Sequence, residues 1–389
     1  MKIIEEYNGK KLPHPIYSWA DEIEEEAFNQ AVNIVRMPNL YKHLAIMPDV
    51  HSGYGMPIGG VAAFVNVIIP YAVGVDIGCG MIARRLNIKK EDLPKEILGM
   101  FINRVKKKIP LGFEHHKKPR HWDKIDEFDD IYILRIQKKE ALHQLGTLGG
   151  GNHFIEVDYD QEGYVWIMIH SGSRHVGKET ADYYHRLAVE FVEKYYKKTL
   201  SDKNLSFFYL DSKEGQEYFK AMNLCLDFAY ENRYQLMEDV LDILHTFVYF
   251  EIIDEVHIHH NFASVERHFD REVIVHRKGA VLADKGVRGI IPGSMGTKSY
   301  ITKGKGNPLS FKSSSHGAGR VMSRHKAMKT LTIQEVEEAM KGVVHLPFKS
   351  KRQLDEAPQA YKDIDEVIKQ EEDLINIEYI LKPMAVVKG

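Results

Sequence analysis

Three things are scarce in this 389-residue chain, and each scarcity narrows what it can be. Only two cysteines occur, Cys79 and Cys225. Two are too few to staple a chain of this length, so a disulfide framework is excluded and a free thiol is left for metal or chemistry. Charge of one sign is missing as well: 53 Lys and Arg against 55 Asp and Glu leave a formal net charge of -2, so any nucleic-acid contact has to come from a local patch. Long apolar runs are absent. The longest, Val61 to Val75, is broken by Asn66 and Pro70, falls short of a membrane span and reads as buried strands. Met1 to Pro13 lacks the apolar core of a secretory signal. The expectation is a cytoplasmic protein with no membrane partner. No internal repeat or low-complexity segment appears, and 44% hydrophobic residues can bury a large core, so residues 1–389 read as a single catalytic body.

Helical and strand patterns both occur, which gives a mixed α/β (α+β) class. Trp19 to Val35 has apolar positions at helical spacing, whereas Ala62 to Ile69 is β-branched and apolar enough for a buried strand. Between them, Met47-Pro48-Asp49-Val50-His51 and glycines at 53, 55, 59 and 60 read as a loop suited to a site. Phe101 to Lys108 resembles a basic amphipathic helix and leads into His115, His116, Lys117, Lys118, Arg120 and His121, the clearest basic island. Tyr164 to His170 reads as a strand and Thr180 to Lys198 as a helix. A long helical region spans roughly Gly215 to Phe247, and Glu272 to His276 returns to a strand pattern. Lys303 to Lys312, rich in Gly and Lys, reads as a mobile connection; Ile333 to Met340 and Ile364 to Asn376 read as surface helices.

Several clusters could carry chemistry. Asp76 and Cys79 lie three apart in a glycine-rich turn that could aim both at one metal, whose identity a mixed hard and soft pair leaves open. A buried free cysteine is the plainer alternative. Gly149, Gly150 and Gly151 precede Asn152 and His153, and consecutive glycines let backbone amides approach an anion. This run matches neither the Walker nor the dinucleotide pattern, so a tight turn competes with it. His170 opens into Ser171-Gly172-Ser173-Arg174, either a phosphate clamp or a helix start. Alternation in His257, His259 and His260 means that not all three reach one ion if the segment is extended. The stretches Pro292 to Thr297 and Ser313 to Arg320 again offer amides and hydroxyls, and His316 among small residues is sterically open, as a covalent nucleophile must be. Together these favour a metal-dependent phosphoryl-transfer enzyme without saying which reaction.

Taken in order, the blocks resemble the RtcB family of RNA-splicing ligases along nearly the whole chain. They run Met47-Pro48-Asp49-Val50-His51, Val75-Asp76-Ile77-Gly78-Cys79-Gly80, Gly149-Gly150-Gly151-Asn152-His153-Phe154 and His170-Ser171-Gly172-Ser173-Arg174. His260-Asn261, Pro292-Gly293-Ser294-Met295-Gly296-Thr297, Ser315-His316-Gly317-Ala318-Gly319-Arg320 and Val386-Val387-Lys388-Gly389 complete the set. The resemblance implies two manganese ions, one held by Asp76, Cys79 and His153 and the other by Cys79, His170 and His260. It implies GTP bound by Asn152, His153, Phe154, Ile155, Glu156, His260, Asn261, Pro292, Gly293, Ser294, Met295, Ser299, His316, Gly317, Ala318, Gly319 and Lys388. His316 would become guanylylated, and Asp49 could assist proton transfer at the RNA ends. Arg174, Lys117, Lys118 and Arg120 are candidates for RNA contact. The implied reaction joins RNA 3′-phosphate or 2′,3′-cyclic phosphate ends to 5′-hydroxyl ends, in tRNA splicing or RNA repair, and leaves room for an activating protein partner. A cyclic-phosphate hydrolase using the same metals is the competing enzyme, and a scaffold with relict motifs the competing non-enzyme. Met56 and Ser314 depart from common family residues without touching a proposed ligand.

Overall fold

Two hairpin strands, β1 (Lys2–Tyr7) and β2 (Lys10–Ser18), open the computed structural model, which describes residues 1–389. Helix α1 (Glu25–Val35) and strands β3 (Leu40–His51), β4 (Ile58–Phe64) and β5 (Val67–Ile68) follow. One turn of helix, α2 (Pro70–Val73), leads to β6 (Gly80–Lys89). Helices α3 (Lys95–Lys108) and α4 (Tyr132–Gln144) then precede the hairpin of β7 (Phe154–Tyr159) and β8 (Tyr164–Ser171). After α5 (Arg174–Phe191) and β9 (Phe208–Tyr209) comes the long α6 (Lys213–His245). A strand-rich stretch holds β10 (Ile252–His259), β11 (Asn261–His268), β12 (Arg271–Lys278), β13 (Ala280–Leu282), β14 (Arg288–Ile291), β15 (Ser299–Gly304) and β16 (Ser313–Ser315). Short helices α7 (Arg324–Thr330) and α8 (Ile333–Ala339), strand β17 (Val344–His345), helix α9 (Ile364–Gln370) and the long β18 (Ile375–Lys388) close the chain.

The class is mixed α/β, as the periodicities predict, and two large sheets organise it. The first runs β1-β2-β3-β4-β12-β11; the second runs β10-β6-β8-β7-β18-β15-β14, with β17 beside β18. Helices α3 and α6 lay Phe101, Val105, Leu236 and Val240 onto Ile82, Ile155 and Ile169 of the second sheet. Helix α1 covers the first sheet. Between the sheets, Met47, Val61 and Val275 share a core with Ile291, Tyr300 and Ile375. Consecutive strands β10 and β11 belong to different sheets, so the chain crosses from one to the other at His260. No helix is long and apolar enough to cross a membrane.

Three expectations need correction. Met47 to His51 is the end of β3 rather than a loop. Its pairing with β4 steps from Ile46–Gly60 to His51–Ile58, so Met47 to Val50 bulge out opposite Gly59 alone. Such a bulge bends the strand and re-aims its side chains. Gly59 has φ +84°, and a Cβ there would lie 2.9 Å from Asp49 Oδ1, so only glycine lets the bulge close. Lys303 to Lys312 is no loose connection: Lys303 and Gly304 end β15, Lys305 N–H donates to Leu374 O at 2.8 Å, and Ser310 and Phe311 are buried. Gly304 serves close backbone approach, since a Cβ there would meet Ala283 C at 2.2 Å, and Gly306 supplies a left-handed φ of +72°. The region Ile364 to Asn376 is helical only to Gln370, after which β18 begins.

Candidate functional site

The residues with the strongest chemistry sit where strands begin, end or cross. Cys79 immediately precedes β6, His170 is near the end of β8, His153 precedes β7, and His260 occupies the crossing between the sheets. Gly78 and Gly80 permit this convergence, because a Cβ on Gly80 would meet Ile258 O at 2.1 Å and one on Gly78 would meet Ala229 at 2.9 Å. Cys79 Sγ lies 3.2 Å from His170 Nε2 and 3.5 Å from His153 Nε2. His153 Nε2 is 3.2 Å from Asp76 Oδ2, and His170 Nε2 is 3.2 Å from His260 Nε2. The ligand atoms of Cys79, His153 and His170 all fall within 4.8 Å of one another.

The outer hydrogen bonds decide what these nitrogens are. His153 Nδ1 donates to Leu148 O at 3.0 Å and His170 Nδ1 to Asn152 O at 3.1 Å, so both Nε2 lone pairs point inward. Asp76 Oδ1 is buried without any partner. Burial pushes His170 and His260 well below the ordinary imidazole range, and burial, then the Asp76 charge, pushes the Cys79 thiol up. Inward lone pairs packed this closely repel unless a cation lies among them, and a bound cation deprotonates a coordinating thiol. The donor set therefore fits metal, while its mixture of S, N and O leaves the element open.

His316 stands beside this cluster, its ring 4.8 Å from that of His260. It follows β16, which pairs with β13. Its backbone N–H donates to Asp49 Oδ2 at 3.0 Å and its Nδ1 to the same oxygen at 2.6 Å. Asp49 is fully buried, and the bulge in β3 is what aims it. Burial raises its pKa, but the contacts with His316 outweigh burial and hold the carboxyl below its ordinary value. With Nδ1–H committed to Asp49, His316 keeps a free lone pair on Nε2.

A cleft of about 500 Å³ opens over His316 and His170. Of the residues assigned to the nucleotide, Asn152, Phe154, Glu156, Pro292, Gly293, Ser294, Met295, Gly317, Ala318, Gly319 and Lys388 line it. Ile155 faces the other way, into the core beneath α3 and α6, because neighbours on a strand point to opposite faces. Ser299 stays behind the cleft, its Oγ accepting from Gly293 N–H at 3.2 Å. Asn261 joins loops, donating to Asp76 O and accepting from Gly279 N–H. Burial pushes both Glu156 and its neighbour Asp158 upward, and the Asp158 charge adds to the rise of Glu156.

The cleft also contains residues that sequence reasoning missed. Glu356, only 3% exposed, lies 3.2 Å from Arg320, 2.9 Å from Arg324 and 4.0 Å from Lys388. His51, Glu24 and Tyr361 complete its rim. His51 and Arg320 belong to recognisable motifs, which is a signal that could have found them; Glu356 carries no local signal. Arg174 has φ +58° and binds Thr147 Oγ1 and Gly112 O, which turns it toward the glycine loop. Lys117 and Lys118 are exposed away from the cleft, and Arg120 beside them is paired with Asp239.

Behind His316 lies another unanticipated acid. Glu371 is fully buried and accepts the Ser315 N–H at 2.9 Å. Burial above all pushes it up to about 8, against the Ser315 N–H, with the Asp49 and Asp373 charges adding to the rise. Between its ordinary 4.5 and about 8, the folded state holds a proton that the unfolded chain has lost, so stability falls as pH rises through that window. Glu371→Gln mimics the protonated form. Its melting temperature should gain on that of the parent from about pH 5 to about pH 8; a constant difference would mean that the acid is already ionised.

Comparison with known proteins identifies the family. The family model described as tRNA-splicing ligase RtcB matches residues 30–133 and 124–389. The RNA-splicing ligase RtcB of Escherichia coli K12 is 39% identical over 402 residues, covering 96% of this chain and 97% of its own. The tRNA-splicing ligases RtcB of Nanoarchaeum equitans and Thermococcus kodakarensis are 33% and 32% identical, covering 94% and 97% of this chain and 92% and 95% of theirs.

Proposed function

The chain belongs to the RtcB family of RNA-splicing ligases, and from that premise we propose that it joins RNA 3′-phosphate or 2′,3′-cyclic phosphate ends to 5′-hydroxyl ends, using GTP and manganese. It acts as a single catalytic unit in the cytoplasm, in tRNA splicing or RNA repair. The observation that carries this reading is the His316–Asp49 pair at 2.6 Å, set beside the cluster of inward-facing donors. An Asp-held imidazole would serve a hydrolase as a general base as well as a nucleotidyl carrier as a nucleophile. What favours the carrier is that His316 shares its cleft with Gly317 and Lys388, since a hydrolase has no need of a nucleotide-base contact.

Asp76, Cys79 and His153 would hold one manganese ion, and Cys79, His170 and His260 the other. Bound there, they supply Lewis acidity that withdraws charge from phosphate oxygens. His316 Nε2 attacks the α-phosphorus of GTP; a nitrogen–phosphorus bond forms and pyrophosphate departs with the broken phosphoanhydride oxygen. The proton stays on Nδ1, hydrogen-bonded to Asp49, whose negative charge balances the positive charge that the ring acquires. An oxygen of the RNA 3′-phosphate then attacks the same phosphorus, the bond to nitrogen breaks, and His316 returns to its neutral form. Finally the 5′-hydroxyl attacks the activated RNA phosphate, its proton passing to solvent, while the phosphoanhydride bond to GMP breaks and GMP leaves. Where the end is cyclic, water opens it to the 3′-phosphate first. Lys388 reaches the base, and amides of the Pro292 to Met295 and Gly317 to Gly319 turns cradle phosphate. Arg320 and Arg324 supply guanidinium forks at the rim.

The test is incubation with α-labelled GTP and manganese, followed by RNA fragments with 3′-phosphate and 5′-hydroxyl ends. An acid-labile, base-stable protein–nucleotide adduct that disappears as joined RNA forms is expected. Opening of cyclic phosphate with GTP left untouched would make the protein a hydrolase instead. The exposed Lys117 and Lys118 suit RNA phosphates. Replacing both with alanine should raise the KM for RNA and flatten its salt dependence, by about 0.7 in log–log slope for each single-strand phosphate that is no longer neutralised. An unchanged slope would move the RNA path elsewhere.

A further inference from the structure

Helix α6 supplies no metal donor, yet two adjacent residues within it, Asn232 and Arg233, are fully buried among apolar neighbours. Buried polar groups persist only when hydrogen-bonded, and a buried charge usually has a counter-ion. Arg277, the other fully buried arginine, follows that rule through Glu266. Arg233 instead spends its donors on neutral acceptors. Nη1 donates to Gly78 O at 2.8 Å and to Ser171 O at 2.9 Å. Nε donates to His257 Nε2 at 3.0 Å, and Nη2 lies 3.1 Å from His259 Nδ1, which is also 3.1 Å from Gly78 O. An arginine can only donate, so His257 Nε2 is an acceptor and that ring is neutral.

The choice of partners is what gives these bonds meaning. Gly78 precedes Cys79, Ser171 follows His170, and His259 precedes His260. Asn232 reaches the remaining histidine: its Oδ1 accepts from Gly146 and Thr147 N–H, and its Nδ2 donates to Thr147 O, Ser171 Oγ and Gly172 O. Ser171 Oγ passes the link to Leu148 O, the carbonyl that receives His153 Nδ1–H. Four ligand-bearing segments from distant parts of the chain thus meet on one turn of one helix.

We propose that Asn232 and Arg233 are positioning residues, a clamp inside α6 that sets the spacing of Cys79, His153, His170 and His260 before any metal arrives. This rests on the reading of that cluster as a metal centre. Groups behind metal ligands commonly change metal affinity about 10- to 100-fold when replaced, because they fix ligand orientation.

The test uses the full chain stripped by chelator, titrated with Mn²⁺ by calorimetry and with Co²⁺ by absorbance in the thiolate charge-transfer region. Arg233→Lys keeps the charge and loses the fork. It should bind Mn²⁺ about 10- to 100-fold more weakly and alter the Co²⁺ spectrum, measured below the melting temperature of the metal-free variant. Asn232→Asp, which keeps the accepting oxygen and loses three donated bonds, should weaken binding in the same direction. If Arg233→Lys does not fold, the half-buried His257→Phe removes only the Nε hydrogen bond, and a perturbed Co²⁺ spectrum is then the expected result. A folded variant with parental affinity and spectrum overturns the clamp. Absence of binding by the parent itself overturns the metal reading, a separately visible outcome.

Discussion

His316→Ala should form no covalent adduct with GTP and no joined RNA, while still opening a 2′,3′-cyclic phosphate. Removal of a covalent nucleophile costs on the order of 10⁶-fold in rate elsewhere, and no second nucleophile replaces it here, since the nearest imidazoles face the donor cluster. Cyclic-phosphate opening needs only the metals and water, whose proposed ligands the substitution leaves in place. The three reactions therefore separate in one variant: adduct and joining vanish together and hydrolysis persists. An adduct surviving in His316→Ala would move the nucleophile to another residue and end the reading.

Asp49→Asn should slow adduct formation about 10²- to 10³-fold. The asparagine oxygen can still accept both the His316 N–H and its Nδ1–H, which converge on a single carboxylate oxygen. Orientation and tautomer survive, and only charge is lost. That charge matters most as the nitrogen–phosphorus bond forms, when the ring turns cationic beside a fully buried carboxylate with no water to screen it. Asp49→Ala should fall further, since it forfeits orientation as well. Single-turnover measurement of adduct formation distinguishes the two, and a parental rate in Asp49→Asn would reduce Asp49 to a structural role.

The sequence exposed much of this site because its residues cluster in short blocks at strand ends. Cys79 after an apolar run and His170 at the close of a strand are readable from local pattern, and the anion-friendly turns from their glycines. What escaped depended on topology. His260 differs from His257 and His259 because the chain changes sheets there, which no local periodicity records. Asp49 reads as a loop residue because the bulge that aims it has the composition of a turn. Glu356 and Glu371 acquire their meaning from partners far along the chain. Asn232 and Arg233 are two polar positions in a long helix, indistinguishable by sequence from a solvated face. The helix itself, expected over roughly Gly215 to Phe247, lies at Lys213–His245.

Strand β18 has a consequence for how the enzyme comes into being. It fills the gap between β7 and β15 in the larger sheet and brings Lys388 into the cleft, pairing with residues synthesised far earlier. A nascent chain still short of residue 375 leaves both of those neighbours with bare hydrogen-bonding edges, the kind that recruit other polypeptides. Such non-local pairing is slow to form. During translation, a chain that stops short of residue 375 therefore has a cleft without Lys388 and two open strand edges for a chaperone to cover.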